Sequence, residues 1–388
     1  MRRRHHARRH PGRAHTRRGG LPPEPAVSAA DSIPTLEEVT AGWLSEVLRA
    51  AGHPDAEVAG FRHVPVGTGQ FGNCVRFTLS YARPQPEYPA TIVGKFPSTD
   101  EMTRTMAVAV RAYSREVGFY NRLRSEVQIA TPHCYYAAVR DHGPEFVILM
   151  EDMHPAKQGD QIAGCDPSLA RQITLALVGL HGPTWRDTSL AGAEWLSFDD
   201  PVELHNAIHA FFRSVLPEFL DRHRDELATE QKDLFQRLAD SPEFPISPPV
   251  GEAFCAIHQD YRLDNLLLDT TRTPAAVTVV DWQSLTVGHP LSDVSYFLGG
   301  NLRVDQRRSV EERIVRDYHD ALLDFGAAGL GWAECWEAYR RASIFGLATV
   351  VFASMGVERT ERGDELIATM ARRHTTHALD LGAEEFLD

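Results

Sequence analysis

The chain of 388 residues has no CxxC pair and no Cys/His spacing of the kind that holds zinc. Its five cysteines, Cys74, Cys134, Cys165, Cys255 and Cys335, are odd in number and far apart. A disulfide framework is thereby excluded, and reduced thiols in a cytoplasmic protein are the plain expectation. No internal repeat is visible. A long apolar run is missing too. The one membrane-like stretch, Ala342 to Val357, falls short of the ~20 apolar residues a bilayer span needs. It follows the charged Trp336-Glu-Ala-Tyr-Arg-Arg and is expected to be a buried core helix.

Basic residues are scarce outside the N-terminus. Eight arginines and no acid lie in residues 1–20, so the remainder sets 32 basic side chains against 53 acidic ones. Such a body offers no broad basic face to nucleic acid. The Arg/His-rich head has no apolar h-region, which excludes a secretory signal. Residues 1–30, closing on Leu21-Pro-Pro-Glu-Pro, are expected to be a disordered tail; a nucleic-acid arm is the competing reading.

What remains is long enough for two lobes with separate cores. A helix is predicted over 35–51, with Leu36, Val39, Trp43, Leu44 and Val47 on one side. Strands follow near 58–65, over 75–81 with Val75, Phe77, Leu79 and Tyr81 facing one way, and over 91–96. Residues 102–123 read as one long helix. A hairpin over 134–140 and 145–150 turns at Asp141-His-Gly-Pro. From Asp166 onward helices dominate, apart from strand-like runs at 266–268 and 275–280. Strands first and helices later predict an α+β fold of two lobes, an N-lobe over 31–153 and a C-lobe over 154–388, with a site between them.

One loop concentrates the chemistry. His258-Gln-Asp-Tyr-Arg-Leu-Asp-Asn265 sets His258, Asp260, Arg262 and Asn265 at the spacing of a kinase catalytic loop, and Asp281 follows in Val-Val-Asp-Trp-Gln. Phosphoryl transfer needs one carboxylate to orient and deprotonate a hydroxyl, and an amide oxygen with a second carboxylate to hold Mg²⁺. Asp260 is expected as the base, Arg262 as a charge neutraliser, His258 as a brace, and Asn265 and Asp281 as metal ligands. Asp264 has no assigned role, and Asp293 is expected to anchor the next helix. His181 is expected to sit favourably at a helix C-terminus.

Upstream, Gly67-x-Gly69-x-x-Gly72 lies between two strands. That argues against a dinucleotide fingerprint and for a flap whose backbone approaches phosphates. Lys95 interrupts an apolar strand and is expected to meet the phosphates, with Glu116 as its acidic partner and Glu126 as the weaker choice. Glu151-Asp-Met153 leaves the last N-lobe strand, as a hinge against the nucleotide base would.

These residues together resemble the aminoglycoside phosphotransferase and choline kinase superfamily, and its ecdysteroid-kinase-like members in particular. The resemblance rests on the 258–265 loop with Leu-Leu-Leu after it, on Val279-Val-Asp281-Trp-Gln, on Gly288-His-Pro-Leu-Ser-Asp293-Val-Ser-Tyr-Phe-Leu and on Leu177-Val-Gly-Leu-His181-Gly-Pro-Thr-Trp, and it covers roughly residues 35–375. It implies a protein-kinase-like bilobal fold, ATP or GTP with Mg²⁺, and a small-molecule hydroxyl as acceptor. Eleven residues separate Asp281 from Asp293 and no Ala-Pro-Glu follows, so the platform on which protein kinases seat a peptide is missing. No nucleic acid, membrane or obligate protein partner is expected. The alternative is a nucleotide-binding pseudokinase, although every expected catalytic residue is present. The negative charge of the body would suit a cationic acceptor, yet net charge does not describe a pocket.

Overall fold

The computed structural model describes residues 33–67, 71–198, 200–242, 244, 252–356 and 360–387. The expected tail at 1–30 lies outside the described residues.

Two lobes differ in how they bury their apolar side chains. In the first, β1 (Val58–Pro65), β2 (Gly72–Tyr81), β3 (Thr91–Pro97), β4 (Cys134–Val139) and β5 (Phe146–Glu151) form an antiparallel sheet of order β1-β2-β3-β5-β4. The period-two pattern of β2 is realised, with Val75, Phe77 and Leu79 buried. They join Trp43, Leu44, Val47 and Leu48 of α1 (Ala41–Ala50) in one core. Each such side chain contributes about 1.5–3 kcal/mol by leaving water. The helix predicted from residue 35 starts later. Leu36–Glu38 form a separate 3₁₀ turn, and the Thr40 hydroxyl caps α1 by accepting the Trp43 N–H at 3.1 Å.

The long helix predicted over 102–123 is likewise divided. α2 (Glu101–Ala109) stops before Arg111, whose φ of 56° is left-handed, and α3 (Ala112–Gly118) runs on into a π turn over Phe119–Leu123. The Arg111 guanidinium donates to the Ser197 carbonyl at 2.7 Å and lies over the Phe198 ring, so a tertiary anchor sets the break rather than a glycine or proline.

The second lobe is helical. β6 (Lys157–Gln158) leads into α4 (Pro167–Ala176), a short α5 (Val178–His181) and α6 (Thr188–Ala191), then α7 (Pro201–Arg222) and α8 (Thr229–Asp240). Two small sheets interrupt: β7 (Cys255–Ile257) pairs with β10 (Thr286–Gly288), and β8 (Leu266–Asp269) pairs with β9 (Ala276–Val279) and β6. α9 (Leu291–Asn301), α10 (Val304–Phe325), α11 (Trp332–Ala342), α12 (Phe345–Gly356) and α13 (Glu361–Asp380) complete the lobe. The apolar run of α12 buries Leu347, Val350 and Val351 against α7, α8 and α13, as expected of a core helix. Among the described residues no helix is long and apolar enough to cross a membrane. Under α9, the His374 ring lies flat against Tyr296, centroids 5.1 Å apart, wedged between Gly300 and Gly346.

The small sheets position the site. β7 enters the 258–265 loop and β8 leaves it; β9 delivers Asp281, and β10 returns to pair with β7. Trp282, fully buried, stacks on Phe119 with centroids 3.7 Å apart and donates Nε1–H to the Thr131 hydroxyl at 3.2 Å. The residue after Asp281 is thus pinned to the end of α3, a stack worth about 0.5–1.5 kcal/mol beyond its burial.

Candidate active site

Lys95 stands mid-strand in β3, opposite Cys74 on one side and Ile148 on the other. Its ammonium donates to Glu116 Oε2 at 2.6 Å and to Asp281 Oδ1 at 2.7 Å. Burial alone would lower its pKa; the Asp281 and Glu116 carboxylates more than offset that and hold it above its ordinary value. Burial pushes Glu116 up to about 7, against the pull of Lys95. Asp281 goes the other way, since Lys95 and then His258 and Arg262 outweigh its desolvation and keep it below the usual range. One ammonium thus serves two carboxylates. Glu126 takes no part in this cluster.

Asp281 adopts φ 67°, ψ 62°, a conformation costly for a residue with a Cβ. Its Oδ2 accepts from Gln283 Nε2 at 3.2 Å. The Val280 N–H donates to the Asn265 carbonyl at 3.0 Å, so the β8–β9 ladder sets Asn265 and Asp281 at the same end of the hairpin.

Asp260 gathers three donors. Asn265 Nδ2 reaches Oδ2 at 2.8 Å, Arg262 Nε approaches at 3.1–3.2 Å, and the buried Tyr296 hydroxyl donates to Oδ1 at 3.2 Å. Arg262 is itself spread over acceptors, with Nη1 at 3.0 Å from Asp264 Oδ2 and 3.1 Å from Gln161 Oε1. Asp264, which had no assigned role, ties the loop to residue 161, accepting the Gln161 N–H at 2.9 Å.

The His258 Nε2–H meets the Val280 carbonyl at 3.0 Å. The backbone is held by Asp293, which accepts the His258 and Gln259 N–H groups at 2.7 and 2.8 Å. His181 ends α5, as expected. It is also fully buried, with Nε2 3.2 Å from Asp293 Oδ2 and Nδ1 2.6 Å from the Tyr318 hydroxyl, so it supports the loop's anchor as well.

Of the three flap glycines, Gly67 has φ 73° and needs the freedom glycine gives. At Gly72 a Cβ would stand 3.0 Å from Lys95 Cε and from the Phe96 carbonyl oxygen, so its bareness lets Lys95 pass. Gly69 lies outside the described residues. Glu151 and Met153 are not joined to either charged cluster. The Glu151 carboxylate accepts the His133 N–H at 3.2 Å, and the Met153 carbonyl accepts the Ala156 N–H at 2.8 Å. Between them, Asp152 takes a two-pronged bond from Arg76 at 2.6 and 3.0 Å, a pairing the sequence reading passed over. Tyr296 was also passed over, because within Val-Ser-Tyr-Phe-Leu it reads as core.

Among the described residues no group of three or more His, Cys, Asp or Glu side chains forms a metal cage. The oxygen donors at the hairpin end still fit Mg²⁺, which takes one or two protein carboxylates and completes its shell with phosphate and water. Asn265 spends its Nδ2 on Asp260, which leaves its Oδ1 as the atom for a cation.

Residues 103–332 match the model of the phosphotransferase enzyme family. A 49-residue segment is 39% identical to acyl-CoA dehydrogenase family member 11 of Gallus gallus; the match spans 13% of this chain and 6% of that protein's length. The choline kinase of Cryptosporidium parvum is similar in structure, with a TM-score of 0.50, 10% identity, and coverage of 88% of this chain and 94% of that one. For the Plasmodium vivax ethanolamine kinase the TM-score is 0.48 at 13% identity, covering 87% of each chain. The first of these two likenesses establishes the fold as α+β, bilobal and protein-kinase-like.

Proposed function

The chain belongs to the phosphotransferase enzyme family, and on that premise we propose that it transfers the γ-phosphoryl group of ATP or GTP to a hydroxyl of a small molecule. The observation that carries this reading is the adjacency of two clusters. One is Lys95, Glu116 and Asp281; the other is Asp260, Arg262 and Asn265, one residue of hairpin away.

In this reading residues 31–153 are the nucleotide lobe and 154–388 carry the loop and the acceptor pocket. The backbone of Gly67, Gly69 and Gly72 covers the phosphates, Lys95 contacts them while Glu116 holds it, and Glu151 to Met153 meet the base. Asn265 Oδ1 and the Asp281 carboxylate hold Mg²⁺, which supplies charge neutralisation on the phosphates. Asp260 orients the acceptor hydroxyl and takes its proton. The acceptor oxygen bonds to the γ-phosphorus, the bond from that phosphorus to the bridging oxygen breaks, and nucleoside diphosphate leaves. Arg262 balances charge beside Asp260. His258 touches no substrate and acts by holding the loop.

A small acceptor is favoured over a peptide by the short passage from Asp281 to α9, which holds only a 3₁₀ turn, β10 and the His289-Pro290 step. The five free thiols suit the cytoplasm.

The test pairs a phosphate-transfer screen over amino-sugars, choline-like amines, sterols and hydroxy acids with Asp260→Asn. That variant is expected to keep a thermal shift with Mg·ATP and to lose transfer by about 10²–10⁴-fold, the size of general-base assistance. Undiminished transfer would remove Asp260 from its role. A wild-type chain that shifts with Mg·ATP but consumes no nucleotide with any acceptor would favour the pseudokinase.

A further inference from the structure

A cavity of about 470 Å³ lies between α8, α13, the residue 162 segment and the start of α10. Its wall sets Arg303, Arg372 and Arg373 against a single acid, Glu365. On a chain of formal charge −13 this is a local reversal of sign.

The arginines are poorly compensated. Arg373 is buried and donates only to carbonyls, Gln161 at 2.6 Å, Gly300 at 3.1 Å and Ile162 at 2.9 Å. No carboxylate pairs with it among the described residues. Burial first, then the charge of Arg372, holds its pKa below the ordinary value, as a guanidinium short of negative neighbours should behave. Arg372 is exposed at the wall, with no side-chain hydrogen bond or ion pair among the described residues. Among the described residues Arg303 has only Asp305, at 3.8 Å. Two hydroxyls complete the lining. The Thr376 oxygen accepts from Gln231 Nε2 at 3.2 Å, which leaves its proton to donate, and Thr369 faces the same cavity. Donors therefore far outnumber acceptors.

We propose that this cavity is an anion site that binds a phosphate group, free or carried by a small molecule, apart from the Lys95–Asp281 site. Forked guanidinium donors with hydroxyls beside them match the geometry of phosphate oxygens. The site also abuts the 258–265 loop. Arg373 holds the Gln161 carbonyl, Gln161 donates its N–H to Asp264, and its Oε1 accepts from Arg262, the neighbour of Asp260. An anion that draws on Arg373 thus bears on Arg262. This coupling, unlike the site itself, rests on the proposed phosphotransfer.

The experiment is thermal unfolding of the full chain with phosphate and pyrophosphate, against sodium chloride of equal ionic strength. Wild type, Arg372→Gln, Thr369→Val and Asp281→Asn are compared. A rise in Tm above the chloride control is expected in wild type and in Asp281→Asn, reduced by half or more in Arg372→Gln and in Thr369→Val. The exposed position of Arg372 keeps loss of folding out of that comparison. No rise above chloride, or an undiminished rise in Arg372→Gln, would overturn the site. Because Arg372 and Thr369 lie outside the Lys95–Asp281 cluster, a rise that depends on them is read apart from the nucleotide site, and failure of the proposed phosphotransfer leaves this result interpretable. Acceptors with and without a phosphate group then distinguish the ligand's source. A ten-fold rise in KM in Arg372→Gln for the phosphorylated acceptor alone assigns the phosphate to the acceptor. A change in transfer rate on adding free phosphate, absent in Arg372→Gln, assigns it to the free ion.

Discussion

Asp293 holds Gln259 in a left-handed backbone conformation: φ of Gln259 is 66°, and its N–H donates to Asp293 Oδ1 at 2.8 Å. The other carboxylate oxygen takes the His258 N–H and faces His181. A fully buried side chain 34 residues away therefore sets the entry to the 258–265 loop. Asp293→Ala leaves two backbone donors and an imidazole without their acceptor. Stability is expected to fall by about 3–5 kcal/mol, the cost of breaking a buried charged network, and transfer to be lost. Urea unfolding measures the first. An unchanged midpoint would mean the loop is held by other contacts.

Tyr296 is the third donor to Asp260, through a hydroxyl that burial, and then Asp260, keeps from ionising. Tyr296→Phe removes one hydrogen bond to a charged group, worth about 1.5–3 kcal/mol. We expect kcat to fall about 10-fold or more while the KM for nucleotide stays put. A change confined to nucleotide KM would contradict the assignment.

Glu116 supplies a pH signature. Its folded pKa of about 7 lies above the ordinary carboxyl value. The stability that protonated Glu116 contributes is complete below about pH 4 and lost as pH rises through about 7. Asp281 has the opposite sign: its folded pKa is lowered, so its contribution is present at neutral pH and lost on acidification below the ordinary range. Wild type should therefore lose stability from pH 5 to pH 8 relative to Glu116→Gln. Parallel curves for the two proteins over that window would refute the shift.

Gly72→Ala tests the passage of Lys95. The new methyl would press on the Lys95 side chain and on the Phe96 carbonyl. The thermal shift with Mg·ATP should shrink several-fold while the fold persists. An unaltered response would show that Lys95 has room to spare.

How far the sequence revealed this depended on distance along the chain. The 258–265 loop was legible because His258, Asp260, Arg262 and Asn265 sit within eight positions. Lys95 stood out as a charge inside an apolar strand. Its pairing with Glu116 followed from strand-then-helix order, and Asp281 emerged at the end of a β-branched run. The left-handed Arg111 was not legible, since no glycine or proline marks the break and the cause is a carbonyl 86 residues on. His181 does end α5, but its bonds were not legible because its partners, Asp293 and Tyr318, are separated from it by 112 and 137 residues. Tyr296 hid among apolar neighbours because α9 is buried on every side.

The ring of His374 fills the space that side chains at residues 300 and 346 would occupy. Three positions spread over 75 residues thus answer to one volume. Enlarging either glycine alone should be rejected, while the same change combined with a smaller residue at 374 should be accepted. In any set of related sequences these positions should vary together or not at all. Redesign around Tyr296 would have to treat them as a single compound choice.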